Sequence, residues 1–149
     1  MLPCTTQRTT CTMRYAQVNV TESVAAIASK AGIPHASVVS AQGANANMIV
    51  DPWELIHPLL YIRTLGRKEA AVLSKPFSKV SLFRPGPLNR LVHDRLFETI
   101  MTALGIGLRV DALASAMIVD AESAAEAVQE PFIFEGNRAI ETLLRAADS

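Results

Sequence analysis

Ala36-Ser37-Val38-Val39-Ser40-Ala41-Gln42-Gly43-Ala44-Asn45-Ala46-Asn47 decides the fold. Residues 36–40 are a short apolar, β-rich run, and 41–47 form a Gly/Asn loop. A run of that kind, entered from a helix and left by such a loop, reads as a buried parallel strand. The helix before it opens at Thr21-Glu22-Ser23, continues through Val24, Ala25, Ile27 and Ala28, and stops at Gly32. A hydroxyl residue at the start and glycine at the end are the expected punctuation. Pro34 then blocks continuation. Downstream, Leu59, Ile62, Leu65, Glu69, Ala70 and Leu73 follow helical spacing. They predict a helix that begins near Trp53 or Pro58 and ends before Lys75-Pro76.

The same alternation carries on. Lys79-Val80-Ser81-Leu82-Phe83 reads as a second strand, closed by Arg84-Pro85-Gly86-Pro87. Helical spacing resumes through Leu91, Val92, Leu96, Ile100, Met101 and Leu104, and Gly105 and Gly107 break it. Val110 to Ala121 is a further helix with few polar residues. Pro131 to Phe134 is a last strand, and Asn137 to Ala147 a last helix. Strands alternating with helices predict an α/β domain with a mainly parallel sheet. The 149 residues show no repeat, linker or low-complexity tract, so residues 1–149 read as a single domain.

Composition narrows the function classes. Hydrophobic residues at 50% and charged residues at 19% fit a chain with a packed core rather than a disordered one. The 14 basic residues balance the 14 acidic ones, without the basic excess of a nucleic-acid binder. No run approaches a membrane span. Cys4 and Cys11 fit neither a redox pair nor a zinc knuckle, and read as free thiols in a reducing compartment. His35, His57 and His93 are scattered, with no metal or triad spacing. One expected piece is missing. Nucleotide-binding α/β domains open with a strand, a Gly-rich turn and a helix N-terminus that binds phosphate. No G-x-G-x-x-G or relative of it occurs here, and a lone Gly105-Ile106-Gly107 is uninformative.

Five segments carry a family resemblance: CTTQRTT at 4–10, VVSAQGANAN at 38–47, LYIRTLGRKEAAV at 60–72, VSLFRPGPL at 80–88 and EGNRAIETLL at 135–144. In this order they resemble the atypical short-chain dehydrogenases related to the Tat-interacting protein and to fungal mitochondrial-associated members. The resemblance implies a partial Rossmann-like, NAD(P)-binding fold. It covers nearly the whole chain but only the C-terminal part of the family, without the first three strands and the Gly-rich phosphate loop. It makes residues 1–10 the end of the fourth strand and its loop. The Arg- and Thr-containing, acid-free start also resembles a mitochondrial presequence, the competing expectation.

Within that family a tyrosine hydroxyl exchanges the substrate proton while hydride moves to or from nicotinamide. A free phenol titrates near pH ~10, and a neighbouring ammonium lowers that value. A lysine four residues on shares the helical face and does this. By resemblance Tyr61 is the tyrosine, Ser40 the serine that bonds the substrate oxygen, and Leu88 a wall of the nicotinamide site. Cys4 and Thr5 fall where the NADP or NAD cofactor is contacted. Gly66 and Glu69 set the register and place Leu65 on the lysine position. Lys68, seven residues after Tyr61 and about 10 Å along the axis, is a weak substitute. The surplus residues Met48 to Trp53 read as an extra surface turn or as a lid.

Two functions follow from these residues. One is an NAD(P)-dependent oxidoreductase, catalytically impaired by Leu65 and by the absent phosphate loop. The other is a non-catalytic regulatory or protein-interaction module, or a fragment of a longer oxidoreductase. Without its neighbouring strand, the sheet edge at residues 1–5 would leave backbone groups unpaired and draw a second copy or another protein. Composition fits the cytoplasm, and the fungal relatives imply peripheral association with the mitochondrial outer membrane.

Overall fold

The structure, a computed structural model, describes residues 18–49, 57–89, 107–123 and 130–147. It is mixed α/β. In chain order the elements are α1 (Val20–Lys30), β1 (His35–Val39), α2 (His57–Leu73), β2 (Lys79–Arg84), β3 (Leu88–Asn89), β4 (Leu108–Arg109), α3 (Val110–Glu122), β5 (Phe132–Glu135) and α4 (Gly136–Ala147). The main sheet has the order β1-β2-β5, and all its strands run parallel. His35 to Val39 pair with Lys79 to Phe83, and Ser81 to Arg84 pair with Phe132 to Glu135. The expected helix at 91–104 and the edge at residues 1–5 lie outside the described residues.

Local chemistry sets the element boundaries. Gly32 adopts φ +74°, and its N–H donates to Ser29 O while Ile33 N–H donates to Ala28 O. That pair of bonds closes the last turn of α1 in a Schellman motif. The start of α1 differs from expectation. Asn19 precedes the helix without a side-chain cap, and Ser23 Oγ donates back to Asn19 O at 2.9 Å. A hydroxyl inside the first turn finds a nearer acceptor in the helix than any amide ahead of it.

Side-chain alternation along the strands separates two cores. Val38, Val80 and Leu82 face Ala25 of α1 and Val72 of α2. Phe83 faces the other way, toward Leu113 and Ala116 of α3, Ile140 of α4 and Leu108 of β4. Helices therefore cover both faces of the parallel sheet, which is why β2 is buried almost throughout. Burying side chains the size of Leu82, Phe83 and Ile140 contributes roughly 1.5–3 kcal/mol each. Phe83 also stacks on Phe134 of β5, with ring centroids 4.7 Å apart. The short parallel pair β3–β4 was not foreseen; Leu88 pairs with Leu108 just after the Arg84-Pro85-Gly86 turn.

Candidate functional site

Parallel strands deliver all their carboxyl ends to one rim, the place where open α/β sheets bind ligands. Here Ser40 leaves β1, Pro85-Gly86 leave β2, and Gly136-Asn137 leave β5. The rim is knitted by its own backbone. Ser40 N–H donates to Phe83 O at 2.7 Å, and Gln42 N–H to Pro85 O at 3.0 Å. Gly86 N–H donates to Asn137 Oδ1 at 3.0 Å. A Cβ on Gly86 would stand 3.3 Å from that same Oδ1 and 3.4 Å from Gln42 Oε1, so glycine permits the close approach. Three of the five segments singled out in the sequence thus meet at one place.

The fourth segment, α2, is bound to the rim by charge and by contact. Arg84 donates from Nε to Glu69 Oε1 at 3.0 Å and from Nη2 to Glu69 Oε2 at 2.7 Å. Glu135 of β5 approaches the same guanidinium at 3.5 Å. The fork holds Arg84 well above its already high ordinary range, chiefly through the hydrogen bonds to Glu69. Sequence reasoning took Arg84-Pro85-Gly86 for a turn and missed this pair. The glutamate at 69, on a face otherwise apolar, was the available signal.

The residues of the expected chemistry are distributed as follows. Tyr61 lies on α2 and is 41% exposed. Leu65, one turn on, is 3% exposed and is packed into the interior. Lys68 donates from Nζ to Val39 O at 2.6 Å. Burial of its ammonium lowers its pKa, opposed by the nearby Glu69 carboxylate. Ser40 is 6% exposed, and its Oγ is enclosed without a hydrogen-bond partner. Leu88 packs against the core around Phe83 and Leu108. Cys4 and Thr5 lie outside the described residues.

Lys68 occupies a telling position. In a parallel ladder alternate residues point both backbone groups at the same neighbour. Ser40 bonds β2, so the N–H and C=O of Val39 point to the opposite, outer edge of β1. Lys68 therefore satisfies a carbonyl that no strand of the described residues reaches.

A second polar group sits at the opposite end of the sheet. His35 and Lys79, the first residues of β1 and β2, meet Asp120 of α3. Nothing in the spacing of 35, 79 and 120 announced this, though Asp120, set among apolar residues late in the stretch 110–121, was a signal. Among the described residues no group of three or more His, Cys, Asp or Glu side chains is placed to hold a metal ion. No helix of the described residues is long and apolar enough to cross a membrane. No protein-family model matches the chain, and no curated protein matches it.

Proposed function

We propose that this chain is a short-chain-dehydrogenase-like domain that has kept the frame of an atypical NAD(P)-dependent oxidoreductase without its catalytic machinery. One observation carries the proposal. The position one helical turn after Tyr61 holds a buried leucine, while the next ammonium along, Lys68, is engaged by the Val39 carbonyl 2.6 Å away. A phenol without a neighbouring ammonium lacks the charge that stabilises its phenolate and is a poor acid–base group. The five sequence segments support the partial Rossmann-like assignment, as does the meeting of three of them at the carboxyl ends of parallel strands, with a fourth bound there by Glu69.

The described residues do not by themselves make a dinucleotide site. No Gly-rich phosphate loop occurs in the sequence, Ser40 Oγ is enclosed, and Leu88 is used for packing. No hydride-transfer step is therefore assigned. Titration of the purified chain with NADPH, followed by cofactor fluorescence and thermal shift, tests the proposal. The expected result is no saturable binding in the micromolar range. Saturable micromolar binding would sink it. Binding that appears only when Leu65→Lys is combined with an added N-terminal half of a relative would mark descent from an enzyme.

Among the described residues no strand pairs with the outer edge of β1, and that edge favours a protein-interaction role as the second reading. The outward backbone groups of His35 and Ser37 offer a strand-length template beside the capped Val39 carbonyl. The occupant would be a second copy or another chain, in the cytoplasm or at the mitochondrial outer membrane. Light scattering as a function of concentration separates self-association from binding to another protein.

A further inference from the structure

We propose that His35 is a proton-operated switch that exchanges Ser81 for Asp120 as the partner of its Nε2 atom, making the hold of α3 on the sheet pH-dependent. The proposal is independent of any dinucleotide chemistry, because the group lies at the amino ends of β1 and β2, away from the rim.

The geometry is asymmetric around one carboxylate. Lys79 Nζ lies 2.9 Å from Asp120 Oδ1. The same ammonium donates to Asp120 O at 2.8 Å and to Ser123 Oγ at 3.0 Å. Asp120 Oδ1 is thereby satisfied. Asp120 Oδ2 is enclosed and accepts no hydrogen bond, yet His35 Nε2 stands 3.3 Å from it. That same Nε2 is 3.1 Å from Ser81 Oγ. Ser81 is completely buried, and Nε2 is the partner its hydroxyl has. In the neutral state of the proposed switch the ring nitrogen accepts from Ser81, and the ring carries its proton on Nδ1. This is not a nucleophile triad. Serine and carboxylate address the same nitrogen, and Ser81 has no access to a substrate.

A proton taken from solvent at Nε2 inverts the arrangement. The N–H so formed cannot accept from Ser81, and a small turn of the ring aims it at Asp120 Oδ2. The serine hydroxyl is then left without an acceptor. The charged groups facing the ring are Lys79 from β2 and Asp120 from α3, and they oppose each other. Burial of the ring is the largest influence and, with Lys79, pulls its pKa below the ordinary 6.5 against the attraction of Asp120. The folded state thus binds this proton less readily than the unfolded chain does. Stability is full above about pH 6.5, the unfolded value, and falls as the pH drops from there toward the lowered folded value.

Long-range proton–nitrogen NMR of the full chain labelled with nitrogen-15 tests the switch, with His35→Gln assigning the signal. Expected are an Nδ1–H tautomer near neutral pH and a titration midpoint below 6.5. Asp120→Asn should lower that midpoint further, and the urea midpoint of the native chain should fall more than that of His35→Gln between about pH 7 and about pH 5. An Nε2–H tautomer at neutral pH overturns the proposal. So does a midpoint at or above 6.5, or the same pH dependence of stability in the native chain and His35→Gln. If Asp120→Asn fails to fold, the tautomer and midpoint of the native chain decide alone.

Discussion

Gly66 sets two rules against each other. Inside a helix, glycine is worse than alanine by about 0.8–1.0 kcal/mol, so propensity alone predicts that Gly66→Ala stabilises. Packing predicts the reverse. A Cβ there would fall 2.1 Å from Ala46 N and 2.4 Å from Asn45 C, both backbone atoms that cannot turn aside. The loop after β1 lies directly on α2, where Asn45 N–H reaches Ile62 O at 3.3 Å. We expect Gly66→Ala to lose about 1–3 kcal/mol in urea denaturation, and a gain in stability would show that the loop does not rest there. The Glu69–Arg84 fork gives a second test at this scale. Glu69 is only 4% exposed, so Arg84→Met strands a buried carboxylate. A loss of about 3–5 kcal/mol is expected, much of it recovered when Glu69→Leu is added. A double-variant loss equal to the sum of the two single losses would mean that the pair is not coupled.

At the scale of elements, α2 does three separate tasks. Val72 closes one core, Glu69 fixes the rim, and Lys68 covers an edge carbonyl of β1. Removing only the last should spare the fold and alter its surface. For Lys68→Met we expect a change in stability within about 1 kcal/mol, since the freed carbonyl can turn to water. We also expect more self-association by light scattering, because the β1 edge becomes fully open. Unchanged scattering would remove Lys68 from the control of that edge. α1 presents a different surface. Val20, Val24 and Ile27, spaced by helical turns, are 43%, 59% and 68% exposed.

Among the described residues the β1 edge and the outer stripe of α1 are two of the surfaces through which copies could meet. They are separable. Ile27→Glu lies on an exposed helical position, so its effect on folding should stay within about 0.5 kcal/mol. If α1 mediates association, Ile27→Glu abolishes it in concentration-dependent light scattering; if the sheet edge does, association persists in Ile27→Glu and rises in Lys68→Met. The two cores give the molecule a further property of scale. The sheet separates Val38, Val80 and Leu82 on one face from Phe83 on the other. The His35–Lys79–Asp120 group joins α3 to β1 and β2 on the second face, so proton uptake there should act on α3 before it disturbs α1 and α2.

Period and punctuation were enough to read the three strands of the main sheet and most helix limits. Short β-rich runs such as Ala36–Ser40 and Lys79–Phe83 came within a residue of β1 and β2, because each is bounded by Gly, Pro or Asn that the strand cannot pass. Gly32 and Pro34 ended α1 as expected, because backbone restriction is a property of the residue itself. The register of Leu65 after Tyr61 was likewise a matter of counting. What α2 does with its polar residues was not. Lys68 turned to the Val39 carbonyl, and Glu69 to Arg84 fifteen positions away. His35 found Ser81 and Asp120 only because strand register and the seating of α3 brought them together. Local sequence fixes which conformations each segment can adopt. The partners of a buried charge depend on distances between segments, and those exist only once the sheet is paired and its helices are packed.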